Sequence, residues 1–303
     1  MIRRVVTYRS GTAADARILF EIFEAAIDDL GARMQASANS TAGDPDAWER
    51  RRPLFEHLAR TGDRLWIAER DGRPVGYARS IVRDGVRELT ELFVVPRVQS
   101  SGVGGELLAR AFPAAGARHR TLVATSDVRA VARYARCGLD GRFPIYSLSR
   151  APAASSVDSD LRAEPLVTDA ATVARLAVID RALLGYCRDV DHRWFATQRR
   201  GVVYRRGEDI VAYGYAPVAS GWSGPYAALD PADLPRLLAD AETFAHRAGH
   251  DEVAFDVALI NRTALGYLLG RGYQLQSLPM IWFADADLGQ LDRYILFSPC
   301  FLA

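Results

Sequence analysis

Lysine is absent from this sequence, and its absence removes several kinds of function. All 38 lysine-or-arginine positions among the 303 residues are arginine. The chain therefore cannot form a Schiff base on a lysine, use a lysine as general base, or build a phosphate loop that ends in Gly-Lys-Ser/Thr. Arginine stays charged and binds carboxylate or phosphate through a fork of N–H donors. Anions remain available as ligands, through arginine or through the backbone.

Cysteine, net charge and long apolar runs are also scarce. Cys137, Cys187 and Cys300 are odd in number and widely spaced, which argues against a disulfide framework and against a zinc site. A net charge of +1 without a basic run makes nucleic acid or an anionic membrane a poor partner. We therefore expect no metal. No apolar run approaches about 18 residues, so we expect no membrane helix. The N-terminal stretch has no apolar core long enough for a signal peptide, so we expect a cytoplasmic location.

The chain length favours two domains. In the first half, strand patterns and helix periodicities alternate, with a hairpin signal at Asp71-Gly72 and a helix after Asp46. The stretch APAASSVDSD, residues 151–160, has the composition of a linker. We therefore predict domains at 1–150 and 161–303.

The second half repeats the first. Tyr77 in RDGRPVGYARSIV aligns with Tyr213 in RRGEDIVAYGYAPV, and the helix that follows Asp127 recurs after Asn261. Matching offsets in two mixed halves predict an internal duplication. The copies differ after the fourth strand of each half, because Pro231 leads directly into a helix through ADLPR, without glycine. We expect the second copy to have lost whatever the first loop holds.

That first loop lies in LFVVPRVQSSGVGGELL, residues 92–108, between a strand and a helix. Glycines at a helix N-terminus are typical of an anion site, since unpaired N–H groups and the helix dipole meet there. The missing lysine excludes a P-loop. The loop lacks the third glycine of a dinucleotide-binding fingerprint, although Asp127 lies at about the right distance for a ribose-binding acid.

The segment from Gln99 to Gly104 has the form Gln/Arg-x-x-Gly-x-Gly/Ala, and it resembles motif A of the GNAT superfamily of CoA-dependent acyltransferases. WIAERDGRPVGYARS resembles the central hairpin of that family, and DVRAVARYARCGL resembles its C-terminal helix motif. The resemblance implies an α/β fold of α+β type with two tandem GNAT-like domains. Each would be a mostly antiparallel mixed sheet flanked by helices, and the second domain would be degenerate.

The resemblance also implies a set of residues that bind acetyl-CoA. The main chain of Leu92, Phe93 and Val94 would pair with the pantetheine arm, and the loop would hold the pyrophosphate. The loop residues are Gln99, Ser100, Ser101, Gly102, Val103, Gly104 and Gly105. We add Asp127, at the start of the next helix, to the cofactor-binding residues.

Acyl transfer from a thioester needs a donor for the oxyanion, a base for the amine and an acid for the sulfur. By resemblance, the Val94 N–H would face the thioester carbonyl and Tyr134 would protonate the sulfur; the matching residue of the second copy is Leu268. Glu91 is the candidate base, acting directly or through water, with a solvent-facing strand carboxylate as the alternative. Glu88 is expected on the opposite face.

The resemblance implies an N-acetyltransferase that acts on a small-molecule or peptide amine, as a monomer or homodimer. Two other functions stay open: a non-catalytic acyl-CoA-binding or sensor protein, and an NAD-dependent oxidoreductase. Residues 12–60 would contribute to the acceptor site. Five acids there could attract a cationic amine, or could simply be solvated: Asp28, Asp29, Asp44, Asp46 and Glu49.

Overall fold

The computed structural model describes residues 5–34, 44–219, 221–276 and 278–297. The chain forms two compact units, residues 1–123 with 127–140, and residues 124–126 with 141–303. Residues 141–150 belong to the second unit. The domain boundary predicted from the sequence places the same residues in the first domain, and the predicted boundary remains a prediction. Cys300 lies outside the described residues. Within the described residues, no helix combines the length and apolar character needed to cross a bilayer.

The first unit is a five-stranded sheet with helices on both faces. Its elements are β1 (Val6–Ser10), α1 (Ala16–Met34), α2 (Ala47–Thr61), β2 (Arg64–Arg70), β3 (Arg73–Arg83), β4 (Val86–Val94), α3 (Val103–Ala111), β5 (His119–Thr125) and α4 (Val128–Arg136). The strands are hydrogen-bonded in the order β1-β2-β3-β4-β5. All neighbours are antiparallel except β4 and β5, which are parallel.

The second unit contains strands of two sheets. Its elements are β6 (Asp140–Arg150), β7 (Arg162–Pro165), α5 (Ala170–Leu184), α6 (Asp189–Gln198), β8 (Arg199–Arg206), β9 (Asp209–Pro217), β10 (Gly221–Ser223), β11 (Tyr226–Ala228), α7 (Leu234–Arg247), β12 (Val253–Ala258), α8 (Arg262–Gly270), β13 (Gln274–Leu275), β14 (Met280–Ala284) and β15 (Tyr294–Ile295). One sheet runs β15-β11-β9-β8-β7, and the other contains β14-β6-β12-β10. The α/β class with mixed, mostly antiparallel sheets is confirmed.

The core of the first unit follows the apolar stripe of α1. Leu19, Phe20 and Phe23 are buried, and their rings meet Phe55 of α2 edge-on at 5.9 and 6.1 Å from Phe20 and Phe23. Tyr77 of β3 belongs to the same cluster. The two helices therefore cover the face of β3 and β4 that carries Tyr77. Asp46 precedes α2 as expected, but its side chain makes no capping hydrogen bond.

A β-bulge in β4 overturns one expectation. Arg79 is opposite Glu91, Ser80 is opposite Leu89, and Ile81 is opposite Glu88, so Thr90 is an extra residue without a partner. Directly opposed residues share a face, and Arg79 and Ile81 are two apart on β3. Glu88 therefore lies on the same face as Glu91. The prediction of opposite faces was wrong because the bulge shifts the alternation by one residue.

Helix α4 starts at Asp127, whose carboxylate accepts a hydrogen bond from the Arg129 N–H at 3.0 Å. The same carboxylate pairs with the side chains of Arg33, at 2.9 Å, and Arg129, at 3.1 Å. Burial opposes ionisation, but hydrogen bonds from Arg129 and Arg33 outweigh it and lower the pKa of Asp127 to about 2. In the second unit Asn261 caps α8 in the same way, accepting from the Ala264 N–H at 3.0 Å.

The stretch DRALLGYCRDVDHRWF, residues 180–195, contributes to a buried polar network in the second unit. Asp180 is fully buried and accepts hydrogen bonds from Tyr213 Oη at 2.5 Å and from His192 Nε2 at 2.8 Å. Arg188, also buried, pairs with Asp180 and donates to Tyr213 and Tyr294. Burial opposes ionisation of Asp180, but the charges of Arg188 and His192 outweigh it and lower its pKa.

Replacing Asp180 with alanine should leave Arg188 as an uncompensated buried charge. We expect Asp180→Ala to lower the free energy of unfolding by about 3–5 kcal/mol, measured by urea denaturation. Asp160→Ala is the control, because it breaks an exposed ion pair with Arg206 and should have a much smaller effect. Equal effects of the two changes would contradict the structural role of the buried network.

Asp127→Asn should keep the cap, as Asn261 does, and remove the charge that pairs with Arg33 and Arg129. Because the folded-state pKa is depressed, the stabilisation is present above the unfolded-state pKa of about 4 and is lost as pH falls toward 2. We expect the variant to lose about 1–2 kcal/mol at pH 7 and progressively less below pH 4. A loss that does not depend on pH would contradict the ion-pair contribution.

Candidate active site

The site begins where β4 separates from β5. The two strands pair only from Val86–Glu88 to His119–Thr121, and no described strand pairs with this edge of β4 beyond Glu88. Residues before the separation are buried, whereas Glu91 to Val95 are half-buried. The Val95 N–H bonds to the Val75 carbonyl of β3, so strand alternation turns the N–H of Val94 to the open edge. The edge of β4 that faces away from β3 therefore has no strand partner after Glu88 among the described residues.

The glycine loop follows directly and ends at the N-terminus of α3. Gln99 reaches back to the open edge, donating from Nε2 to the Val94 carbonyl at 3.0 Å. Gly102 is the N-cap with φ +90°, a left-handed conformation that disfavours other residues. The first hydrogen bonds of α3 run from Gly105 and Glu106 to the Gly102 carbonyl. The N–H groups of Val103 and Gly104 precede them and are free for an anion.

A cation lies beside this N-terminus. A Cβ on Gly104 would be 3.5 Å from Nη2 of Arg133 on α4, so the guanidinium packs directly against the loop. Among the described residues, no carboxylate lies within 4 Å of Arg133, which is half-buried. Sequence reasoning missed this residue. The close approach of Gly104 to Arg133 leaves no signal in the sequence beyond a basic residue on α4.

Glu91 is held by two neighbours on β3. Tyr77 donates from its hydroxyl to Oε1 at 3.0 Å, and the buried Arg79 forms an ion pair through Oε2. Burial, reinforced by the charge of Glu91, raises the pKa of Tyr77 well above its usual range, so its hydroxyl remains a donor. The Glu91 side chain is 11% exposed. It is a fixed carboxylate with limited access to solvent.

Tyr134 lies on α4, one turn beyond Ala130, and is buried with 6% exposure. It is on the helix that also carries Arg133 and begins at Asp127. The cap and ion pairs of Asp127 give this residue a role in the structure of α4. The first unit thus assembles the predicted strand edge, loop and carboxylate from consecutive parts of the chain, with Tyr134 on the next helix.

The second unit has the same strand separation and fills it. Gly221–Ser223 of β10 pair in parallel with Val253–Phe255 of β12, as Val86–Glu88 pair with His119–Thr121. Beyond them, β15 pairs with β11, placing Tyr226 opposite Ile295. The Leu296 N–H then bonds to the Asp256 carbonyl of β12 at 3.0 Å.

This inserted segment excludes any other strand-like occupant of the second slot. Ala228 pairs with Ala212 as Val94 pairs with Gly76, so β11 matches the open edge of β4. All residues of β11 and β12 are buried. Gly224 has φ +149°, and a Cβ there would collide with the Leu296 carbonyl oxygen. The second copy uses its own chain where the first leaves an edge open.

The predicted acceptor acids are mostly neutralised. Asp29 pairs with Arg33, Asp44 with Arg50, and Glu49 with Arg52. Asp28 is exposed, and Asp46 lies at the start of α2. These ion pairs give the helix pair no concentrated negative charge for a cationic amine.

The sequence profile described as "Acetyltransferase (GNAT) family" matches residues 28–139. No curated protein sequence matches the chain significantly. Among solved structures, a candidate acetyltransferase from Pyrococcus horikoshii is similar over 97% of this chain and 94% of its own, with TM-score 0.74 and 16% identity.

Two further structures are similar over most of both chains. A GCN5-related N-acetyltransferase from Sphaerobacter thermophilus has TM-score 0.61 and 18% identity, covering 92% of this chain and 95% of its own. A tandem GNAT protein from the clavulanic acid biosynthesis pathway has TM-score 0.61 and 13% identity, covering 92% and 98%. The family match is confined to residues 28–139, within the first half of the chain, whereas the similarity to these structures shows that nearly the whole chain has the fold of tandem GNAT proteins.

Proposed function

We propose that the first domain transfers an acetyl group from acetyl-CoA to a primary amine by direct attack. The observation that carries this proposal is the open edge of β4, which runs into the N-terminus of α3. The same edge in the second domain is filled by β15. Unpaired backbone groups inside a fold are costly, so the first slot calls for an extended, hydrogen-bonding occupant such as pantetheine.

The loop fits the other end of CoA. The free N–H groups of Val103 and Gly104 and the half-positive N-terminus of α3 would bind the pyrophosphate. Arg133 would add a full charge beside them, supplying the cation that the missing lysine cannot. The residues Gln99, Ser100, Ser101, Gly102 and Gly105 complete the cradle, and Leu92 and Val94 offer main-chain partners to the pantetheine arm.

In the reaction, the amine nitrogen attacks the thioester carbonyl and forms the C–N bond, and the C–S bond then breaks. An ammonium group must lose two protons on its way to the amide. One is released to solvent through Glu91, and one ends on the sulfur as CoA leaves as a thiol. The Val94 N–H would stabilise the oxyanion, and Tyr134 would donate to the sulfur.

Both carboxylate oxygens of Glu91 are engaged, by Tyr77 and by Arg79. Each oxygen has a second lone pair, so Glu91 can still accept from one water molecule. This arrangement supports a water-mediated role rather than direct contact with the amine. The ion pair with Arg79 fixes the carboxylate that would hold that water.

A binding experiment tests the donor site. Isothermal titration should give one acetyl-CoA per chain, because β15 occupies the second slot, and NAD should not bind. Arg133→Gln should raise the Kd about 10-fold, since a charge-assisted contact to a phosphate is lost. Arg136→Gln, one turn away from this contact and exposed on α4, is the control. Binding of NAD instead of acetyl-CoA, or two acetyl-CoA per chain, would contradict the assignment.

A turnover experiment separates an enzyme from an acyl-CoA sensor. Release of CoA thiol with a panel of primary amines should fall about 10²-fold in Glu91→Gln and in Tyr134→Phe, while acetyl-CoA affinity is kept. The loss in Glu91→Gln should be smaller at higher pH, where more of the amine is already neutral. Binding without turnover for every amine would favour the sensor, and unchanged rates in both variants would remove the catalytic assignments.

A further inference from the structure

We propose that the amine acceptor of the first domain carries a carboxylate that Arg51 binds, and an apolar body that packs on the aromatic residues of the helix pair. This inference rests on the proposed function, because that function places the acceptor beside the thioester. It names the substrate class of the same site. The argument starts from the charges of α1 and α2.

Arg51 differs from every other arginine of these two helices. Five of them have a carboxylate partner within 4 Å: Arg17, Arg33, Arg50, Arg52 and Arg60. Among the described residues, Arg51 has none; its guanidinium instead lies 4.8 Å from the ring centre of Phe23. A half-buried cation without an anionic partner loses hydration with little compensation. Such a charge is typical of a ligand site.

The position of Arg51 on α2 is also unusual. Trp48, Arg51 and Phe55 are spaced three and four residues apart, so they share one face of the helix. That face packs on α1, where Phe20 meets Trp48 at 5.4 Å and Phe55 at 5.9 Å. A charged residue therefore interrupts an apolar stripe. Departures from the apolar pattern concentrate at functional sites.

Arg51 is connected to the reacting strand through two ring contacts. Its guanidinium covers Phe23, and the Phe23 ring meets the Phe93 ring edge-on at 5.0 Å. Phe93 immediately precedes Val94, whose N–H would hold the thioester carbonyl. Burial lowers the pKa of Arg51, and the negative charges of Glu24 and Glu91 oppose that shift. Phe93 is two residues after Glu91 on β4, so these ring contacts place the guanidinium on the same side of the sheet as Glu91.

The surfaces around Arg51 fit an apolar body. Trp48 and Phe93 are half-buried at the edge of the aromatic cluster, whereas Phe20, Phe23 and Phe55 are buried within it. An acceptor could cover Trp48 and Phe93 while its carboxylate meets Arg51. The amine would then point toward the thioester, where its nitrogen forms the C–N bond as the C–S bond breaks.

Matched acceptor pairs test this inference. The first pair is L-phenylalanine and L-phenylalaninamide; the second is 4-(aminomethyl)benzoate and 4-(aminomethyl)benzamide, in which amine and carboxylate are farther apart. With kcat/KM expressed per free amine, the acid of at least one pair should react about 10- to 100-fold faster than its amide. Arg51→Met should remove that preference, because it lowers kcat/KM for the acid far more than for the amide.

Arg17→Met is the matched control, because Arg17 also lies over aromatic rings, 5.3 Å from Trp48, but is paired with Glu21. It should leave the acid preference intact. Equal rates for acid and amide in both pairs, no turnover of any of the four, or equal losses for acid and amide in Arg51→Met would overturn the inference.

Acetyl-CoA titration distinguishes a failure here from a failure of the proposed function. If acetyl-CoA does not bind, the proposed function itself fails. If acetyl-CoA binds and no acid is preferred, only the acceptor class is wrong. Thermal stabilisation by the preferred acid in the presence of CoA should also disappear in Arg51→Met, which gives a readout that does not depend on turnover.

Discussion

The separation of β4 from β5 is the feature on which the site depends. Two parallel strands that pair over three residues and then diverge leave backbone donors and acceptors inside the fold. Such groups need partners. The chain meets this need in two ways: the second domain inserts β15 between β11 and β12, and the first leaves the edge open beside a glycine loop. This contrast between the two copies supports the proposal that the open edge of the first copy binds a ligand.

The bulge at Thr90 determines which side chains lie next to that edge. By adding one residue to β4, it brings Glu88 and Glu91 to the face covered by α1 and α2. It also places Glu91 opposite Arg79, so that the carboxylate is fixed by an ion pair one residue before the open edge begins. Strand irregularities near active sites often re-aim side chains in this way.

Much of this fold could be predicted from the sequence. The hairpin at Asp71-Gly72, the stripe of α1, the internal repeat and the shortened second loop all depend on local patterns, which a sequence records. The register shift at Thr90 depends on how β3 and β4 pair, and the insertion of β15 depends on partners distant in sequence. The acids near residues 28–49 are open from sequence to either role, ligands of a cationic amine or solvated charges. Two of their ion pairs, Asp29–Arg33 and Glu49–Arg52, lie at helical spacings of four and three residues, so part of their neutralisation is a local pattern.

The two copies also show which features the proposed site has and its counterpart lacks. Tyr77 donates to Glu91, which pairs with Arg79; the aligned Tyr213 donates to Asp180, which pairs with Arg188. The second set is buried beside a filled slot, so a tyrosine, a carboxylate and an arginine on this face can serve stability alone. In the proposed function, Glu91 takes its chemical role from its neighbourhood. That neighbourhood is the open edge of β4, the N–H groups at the start of α3, and Arg133 and Arg51, which have no carboxylate partner among the described residues. Access and unpaired charge, rather than the carboxylate itself, distinguish the first domain from its copy.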